Sequence, residues 1–396
     1  MSNPLRILHI LRAPVGGLFR HVRDLATEQA RRGHAVGVMV DSSARDGLTR
    51  DRLEALGRLL PLGLHALPMG RMPGLSDAGP AFAARRLVAS LAIDVVHGHG
   101  AKGGLYARLG GTRPANRIGA GPLRFYTPHG GSLHLIDNRL TGPIYLAAER
   151  ALARLTDGLI FESGFAQKAY ERAIPGHGVP QRVIYNGLTP ADFEPRTLAD
   201  APAPFLFVGE LRLLKGVDVL IEALARIGPD AGRAVIVGDG PDAAAFKALT
   251  HRLGLGTRIT FTGAMAARQA FGLGRVLVMP SRAESLPYIA LEAAAAGIPL
   301  IATQVGGVPE IVAGSGVRLV QPGDVDALAC AMAATLDTPE TAHKQAEGLR
   351  GLAQKRFTVS QMCDDVLTFY ADARVHEAAR CTALAQEGGG RVSYLP

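Results

Sequence analysis

The sequence predicts an α/β protein of two doubly wound, parallel-sheet domains, and three observations carry that expectation. Short apolar, β-branched runs alternate with helical segments along both halves of the chain, the pattern of βαβ units. Residues 189–204, TPADFEPRTLADAPAP, hold four prolines and no hydrophobic period, so they read as a break between domains. At 396 residues with 47% hydrophobic content, the chain is long for one typical domain and sufficient for two cores. The expected division is a first domain at 1–190, a linker at 191–204 and a second domain at 205–357. An amphipathic terminal helix is expected at 358–380, followed by a disordered, triple-glycine tail from 381 to 396.

The first strand is expected at 5–11. It leads into a loop ending in Gly16-Gly17, and then into a helix with Leu18, Val22, Leu25 and Ala26 on one face. Gly33 ends that helix, and 35–40 is the second strand. The loop lacks G-x-G-x-x-G, so a dinucleotide site is disfavoured. Paired glycines would let backbone approach a ligand, or simply make a tight turn. Residues 41–80 read as helices and loops. The strand at 93–97 is followed by Gly98-His99-Gly100. His97 and His99 are two apart and share one side of the strand; no third ligand has metal spacing in the sequence, so no metal is expected. The strand at 124–127 runs into Pro128-His129-Gly130-Gly131, where His129 is either structural or placed to reach a ligand. A helix at 141–155 and strands at 159–161 and 183–187 complete this half.

The second half opens with a strand at 205–208, the loop Gly209-Glu210-Leu211-Arg212-Leu213-Leu214-Lys215-Gly216 and a helix through Ile227. The chain has six lysines, and Lys215 in a strand-to-helix loop is either a solvated side chain or a mobile point charge for a diphosphate. After a strand at 234–237, Gly238-Asp239-Gly240 forms another backbone-exposing turn, and 259–261 is the next strand. The densest stretch follows. A strand at 275–280 ends at proline, a loop at 281–287 carries Glu284, and a helix starts at Pro287, whose ring suits a first helical turn. Gly297 closes that helix, and 298–302 is the next strand. This unit sets Glu284 at the C-terminal end of a strand, where open α/β sheets bind ligands. The amides of Tyr288 and Ile289 at the helix start suit a phosphate, and Glu292 could reach vicinal hydroxyls. Both glutamates could instead be solvated; the apolar helix between them argues for burial, and a buried carboxylate needs a partner. A strand at 317–320 and helices at 325–336, 339–357 and 359–379 follow.

Charge is uneven. Residues 1–200 hold 25 Lys+Arg against 16 Asp+Glu, and residues 201–396 hold 18 against 19. A basic first half suits an anionic partner, or is an arginine-rich surface without one. Nucleic acid is disfavoured, because the chain has no Trp and no basic-aromatic interleaving; anionic lipid headgroups or a lipid diphosphate fit better. Three scattered cysteines, an N-terminus without signal-peptide character and the lack of a membrane-length apolar run lead to an expected cytoplasmic location.

Glu284 and Glu292, seven residues between them, resemble the E-x7-E motif of retaining GT-B glycosyltransferases of the family 4 type. Ala-Gly-Ile-Pro-Leu-Ile-Ala-Thr and Gly306-Gly307-Val308-Pro309-Glu310 are similar to that family as well. Ser285-Leu286-Pro287 after the first glutamate, where Gly-Phe-Gly is commoner, resembles bacterial exopolysaccharide enzymes. Gly209, Leu211, Lys215 and Gly216 match the family's G-R-L-x-x-x-K-G, with Glu210 where arginine is usual and Arg212 as its expected replacement. The resemblance implies two Rossmann-like domains facing a central cleft and metal-independent, retaining transfer from a UDP- or GDP-sugar, with no cofactor. It gives Lys215 and Arg212 the diphosphate, Glu292 the ribose and Glu284 the donor sugar. Gly209, Gly238, Gly240, Leu286, Tyr288 and Ile289 would line the donor, and His129 with the Gly16-Gly17 loop would complete the site from the first domain. The implied acceptor is a saccharide, lipid-linked and extended at the inner membrane face in cell-surface or exopolysaccharide synthesis. A GT-B sugar-nucleotide epimerase and a non-catalytic nucleotide-sugar-binding subunit are the alternatives.

Overall fold

A computed structural model describes residues 3–43, 47–71, 74–111, 121–130, 142–228 and 232–388 of the chain. The chain divides into two units, Met1–Gly187 together with Val359–Pro396, and Leu188–Thr358.

In the first unit the apolar runs become strands β1 (Arg6–Leu11), β2 (Ala35–Asp41), β3 (Leu64–Leu67), β4 (Val95–His99), β5 (Leu123–Thr127), β6 (Gly158–Phe161) and β7 (Gln181–Val183). They form one parallel sheet in the order β3-β2-β1-β4-β5-β6-β7, with His9 of β1 opposite His97 of β4. Strand order reverses between β1 and β4, and such a reversal opens a crevice at the C-terminal strand ends. Two expectations need correction. β3 lies inside 41–80, which the sequence presents as helices and loops; a four-residue edge strand, Leu-His-Ala-Leu, is too short to show a period. The last strand covers 181–183 rather than 183–187, so Asn186 sits beyond it. Gly131 and Thr141, at the ends of an expected turn and helix, lie outside the described residues; the helix there is described over Gly142–Ala153.

The helix Val359–Gly388 belongs to this unit. Its Met362, Cys363, Val366, Phe369 and Tyr370 are buried with Val22, Leu25 and Phe125 in one apolar cluster. Arg32 pairs with Asp364, and Arg374 reaches Asp94 at 2.9 Å, fastening the same helix at its polar edges. The helix continues through Gly388, past the start of the tail expected to be disordered at 381; residues 389–396 lie outside the described residues.

The second unit repeats the plan with β8 (Ala203–Val208), β9 (Ala234–Val237), β10 (Ile259–Gly263), β11 (Gly274–Met279), β12 (Leu300–Thr303) and β13 (Leu319–Val320), parallel throughout and ordered β10-β9-β8-β11-β12-β13. Here the order reverses between β8 and β11. The proline-rich stretch before β8 packs within this unit. Thr189 and Asp192 cap a short 3-10 turn at Pro190–Phe193, and Arg196 donates to the carbonyls of Phe271 and Gly274 at 3.1 and 2.8 Å. Among the described residues, no helix is long and apolar enough to cross a membrane.

Candidate functional site

In the second unit the loops that follow β8 and β11 meet at the strand-order reversal. Lys215 Nζ donates to Glu284 Oε1 at 2.7 Å, and Ser281 Oγ donates to the same oxygen at 2.7 Å. The Glu284 side chain is 8% exposed and the Lys215 side chain 27%. The burial expected for Glu284 is met by a cation 69 residues away in sequence. Lys215 ends a 3-10 turn at Leu213–Lys215, and Gly216 follows with φ of +70°. A Cβ on Gly216 would lie 1.9 Å from the Pro280 carbonyl oxygen, so only glycine lets the two loops touch here.

Arg282 stitches the same loops from the other side. Its guanidinium donates to both carboxylate oxygens of Asp218 at 2.7 and 2.6 Å and to the Leu213 carbonyl at 2.6 Å, while its N–H donates to Leu214. The bond to Asp218 raises the guanidinium pKa above its ordinary value. Sequence reading passed over Arg282 and Asp218, since residues 64 apart carry no motif; the one available signal was a second charge beside Glu284.

Gly238 and Gly240 hold the β8 loop by close packing. A Cβ on Gly238 would meet the Gly209 carbonyl oxygen at 1.8 Å, and one on Gly240 would meet that of Leu211 at 2.5 Å. Gly306 acts likewise on Glu284. It has φ of +54°, its Cβ position lies 1.9 Å from the Glu284 carbonyl oxygen, and Gly307 N–H donates to Ser285 at 2.6 Å. Gly306→Ala is therefore expected to destabilise the chain by on the order of 1–3 kcal/mol and to displace Glu284. A urea melt checks the first effect, and a melting midpoint equal to wild type would contradict it.

The helix after Glu284 spans Tyr288–Ala295. Pro287 is its extended N-cap, not its first helical residue as expected, and its carbonyl accepts from Ala290 at 3.2 Å and Leu291 at 3.4 Å. Tyr288 and Ile289 thus supply the two N–H groups ahead of the helix's own ladder. Leu286 and Tyr288 are buried, and Ile289 and Glu292 are half-buried. Arg212, the expected substitute for the family's arginine, is 52% exposed and lies 3.7 Å from the Glu210 carboxylate. The glutamate that replaced the usual arginine thus partly offsets its substitute.

The first unit gathers five histidines around its own reversal. His9 lies on β1, His97 and His99 on β4, His129 beyond β5, and His21 on the helix Gly16–Arg31. Ring centroids of His97 and His99 are 4.0 Å apart, and those of His21 and His129 are 4.8 Å apart. His9 bonds Gln29 Oε1 through Nε2 at 2.8 Å and His99 Nε2 through Nδ1 at 3.0 Å; His99 Nδ1 then meets His129 Nε2 at 3.1 Å. His97 uses both nitrogens, on Tyr370 and Thr127, and His21 Nδ1 meets Asn186 Oδ1 at 2.9 Å. Burial lowers the pKa of His9 and of His21 to about 4 and those of His97, His99 and His129 well below the ordinary range, so all five are neutral near pH 7. His129 has φ of +52°, uncommon for a non-glycine residue. The sequence offered only the His97/His99 pair; the fold adds third nitrogens, in the sets His9/His97/His99 and His21/His99/His129, each within 4.8 Å. Gly16 and Gly17 open the helix at exposed positions, with Gly16 at φ of +70°.

Residues 15–192 match the family model described as Glycosyltransferase Family 4, and residues 203–338 match Glycosyl transferases group 1. The chain belongs to the family 4 type of glycosyltransferases. Its two parallel sheets are the Rossmann-like domains of the GT-B fold. Among relatives of this family 4 chain, alpha-D-kanosaminyltransferase of Streptomyces kanamyceticus is 31% identical over 254 residues, covering 59% of this chain and 65% of that protein. Glycogen synthase of Mycobacterium tuberculosis is 34% identical over 246 residues, covering 59% and 57%. The match thus spans less than two thirds of the length of these relatives. Sucrose-phosphate synthase from Thermosynechococcus elongatus superposes with a TM-score of 0.76 at 22% identity, over 93% of this chain and 98% of its own. Anabaena HepE in complex with UDP and glucose superposes with a TM-score of 0.71 at 20% identity, over 93% and 100%.

Proposed function

We propose that this family 4 chain transfers a sugar, with retention, from a UDP- or GDP-sugar to a saccharide acceptor. The observation that carries the reading is the Lys215–Glu284 pair, 2.7 Å across, on the loops that follow β8 and β11 at the strand-order reversal of the second unit. An ammonium shared between a buried carboxylate and an incoming diphosphate supplies positive charge where the leaving nucleotide gains negative charge. Arg212 adds a weaker, solvent-screened contribution, and the N–H groups of Tyr288 and Ile289 take a phosphate oxygen. Leu286 lines the donor, Glu284 binds the donor sugar's hydroxyls, and Glu292 binds the ribose. Gly209, Gly238 and Gly240 keep the β8 loop close enough for its backbone to meet the diphosphate. With cations supplied by side chains, donor binding needs no metal.

The first unit serves the acceptor, through His129 and the Gly16-Gly17 loop. Its arginine excess suits a lipid-linked saccharide at an anionic membrane face, in exopolysaccharide or other cell-surface synthesis. The solved HepE complexes contain UDP and UDP-glucose, which supports a nucleotide-sugar donor and makes uridine the first base to try.

Thermal melting with UDP-, GDP- and ADP-sugars tests the donor reading, because a ligand that binds the folded state raises the melting point by mass action. One nucleotide-sugar is expected to shift wild type and to lose that shift in Lys215→Ala. If none shifts the wild-type protein, the donor site is wrong and the transferase reading falls with it.

A further inference from the structure

We infer that the first unit binds one borderline transition-metal cation, such as Zn2+ or Co2+, through His21, His99 and His129. The ligand nitrogens of these three side chains lie within 4.8 Å of one another, and no carboxylate is among them. An all-imidazole set favours zinc, cobalt, nickel or copper over magnesium or calcium, which prefer oxygen.

The hydrogen bonds already sort the nitrogens. His21 Nδ1–H donates to Asn186 Oδ1, which leaves the lone pair on Nε2, and Nε2 is a buried nitrogen with no hydrogen-bond partner among the described residues. With the Gln29 carbonyl accepting from His9 Nε2–H, His9 Nδ1 must accept from His99 Nε2–H, so the His99 lone pair is on Nδ1. Each of these two rings is thus held through one nitrogen while the other keeps its lone pair, the arrangement by which outer partners orient metal-bound histidines. His129 Nε2 lies 3.1 Å from His99 Nδ1, close to the ~3.3 Å between two nitrogens on one tetrahedral zinc ion with bonds of 2.0–2.1 Å.

Occupation requires one rearrangement that balances. His129 Nε2 gives up the proton it shares with His99 and takes one on Nδ1, so a neutral ring binds and no net proton is released. The other triad is spent, because His97 and His9 have both ring nitrogens engaged. His129 is the one half-buried residue of the three, and the fourth coordination position is left to water or a solute. This site is independent of the donor reading, since it lies in the first unit and its readout needs no turnover.

The test is a titration of the metal-free full-length chain with Co2+, followed by visible absorption and then by competition with Zn2+. One equivalent should give the intense bands of four- or five-coordinate cobalt and be displaced by one equivalent of Zn2+. His129→Gln should abolish the bands, and Asn186→Leu, which removes the hydrogen-bond partner of His21, should weaken binding about 10–100-fold. Far-UV circular dichroism establishes that each variant is folded, and His21→Gln is added where it folds. No bound equivalent in the wild type overturns the site. So does octahedral cobalt, or binding unchanged in His129→Gln, which would point to a surface pair such as His343 and Glu347.

Discussion

A Lys215→Ala chain is expected to lose about 10²–10³-fold in kcat with whichever nucleotide-sugar stabilises the wild type, the scale for removing one preorganised group that meets developing charge. Lys215 is poised for that role by rigid surroundings. Gly216 locks its loop against Pro280, and Arg282 ties Leu213 to Asp218. The same substitution leaves Glu284, 8% exposed, with Ser281 as its remaining partner in the pair's place, so some loss of stability accompanies the loss of rate. A double variant, Lys215→Ala with Glu284→Gln, separates the two effects. It should recover the melting temperature without recovering turnover. Lys215→Arg keeps the charge but brings a planar fork on a different stem, and should restore only part of kcat. Turnover of Lys215→Ala within threefold of wild type would reduce the Lys215–Glu284 pair to a structural tie.

Acidification is expected to destabilise the first unit well above the range where carboxylates titrate. His9 and His21 have folded pKa values of about 4, held down first by burial, against an ordinary value of about 6.5 in the unfolded chain. Between those values the unfolded chain binds more protons, so stability rises with pH there; it is complete above about 6.5 and lost as pH falls toward 4. Each of the two histidines contributes about 2 kcal/mol of that loss at pH 5 and about 3 kcal/mol once fully protonated. Together this is a large part of the roughly 5–15 kcal/mol that separates folded from unfolded domains. Urea melts at pH 7.5 and pH 5, with hydrogen exchange of the β1 and β4 amides to locate the effect, measure it. Equal midpoints at the two pH values would mean that the histidine group is accessible to protons in the folded state. A folded His9→Gln variant should show a shallower slope.

How much of this was legible beforehand depended on range. Strands such as 205–208 and 234–237 announced themselves because both faces of a parallel strand are buried, which writes a continuous apolar run into adjacent positions. Glu284, Lys215 and the glycines at 209, 216, 238 and 240 were readable because they sit where strand ends meet helix starts, and glycine at a close backbone approach has no substitute. β3 was missed because four edge residues have too few positions to show a pattern, and the ties of the proline-rich linker 191–204 to Phe271 and Gly274 were not legible because those residues lie about 75 positions away. The helix Val359–Gly388 showed its apolar stripe in sequence, but not which cluster would receive it.

The sequence by itself determined the two alternating α/β halves, the strand-to-helix loops and the residue types that stand on them, since all of these follow from periodicity and local backbone geometry. Only the tertiary structure decided the partners. It set Lys215 on Glu284 from 69 residues away, gave Arg282 to Asp218, turned Glu210 toward Arg212, and drew His9 and His21 onto the His97/His99 pair. A side chain's charge and lone pairs are fixed by its own chemistry, whereas the group they meet is chosen by strand order, and strand order is a property of the whole sheet.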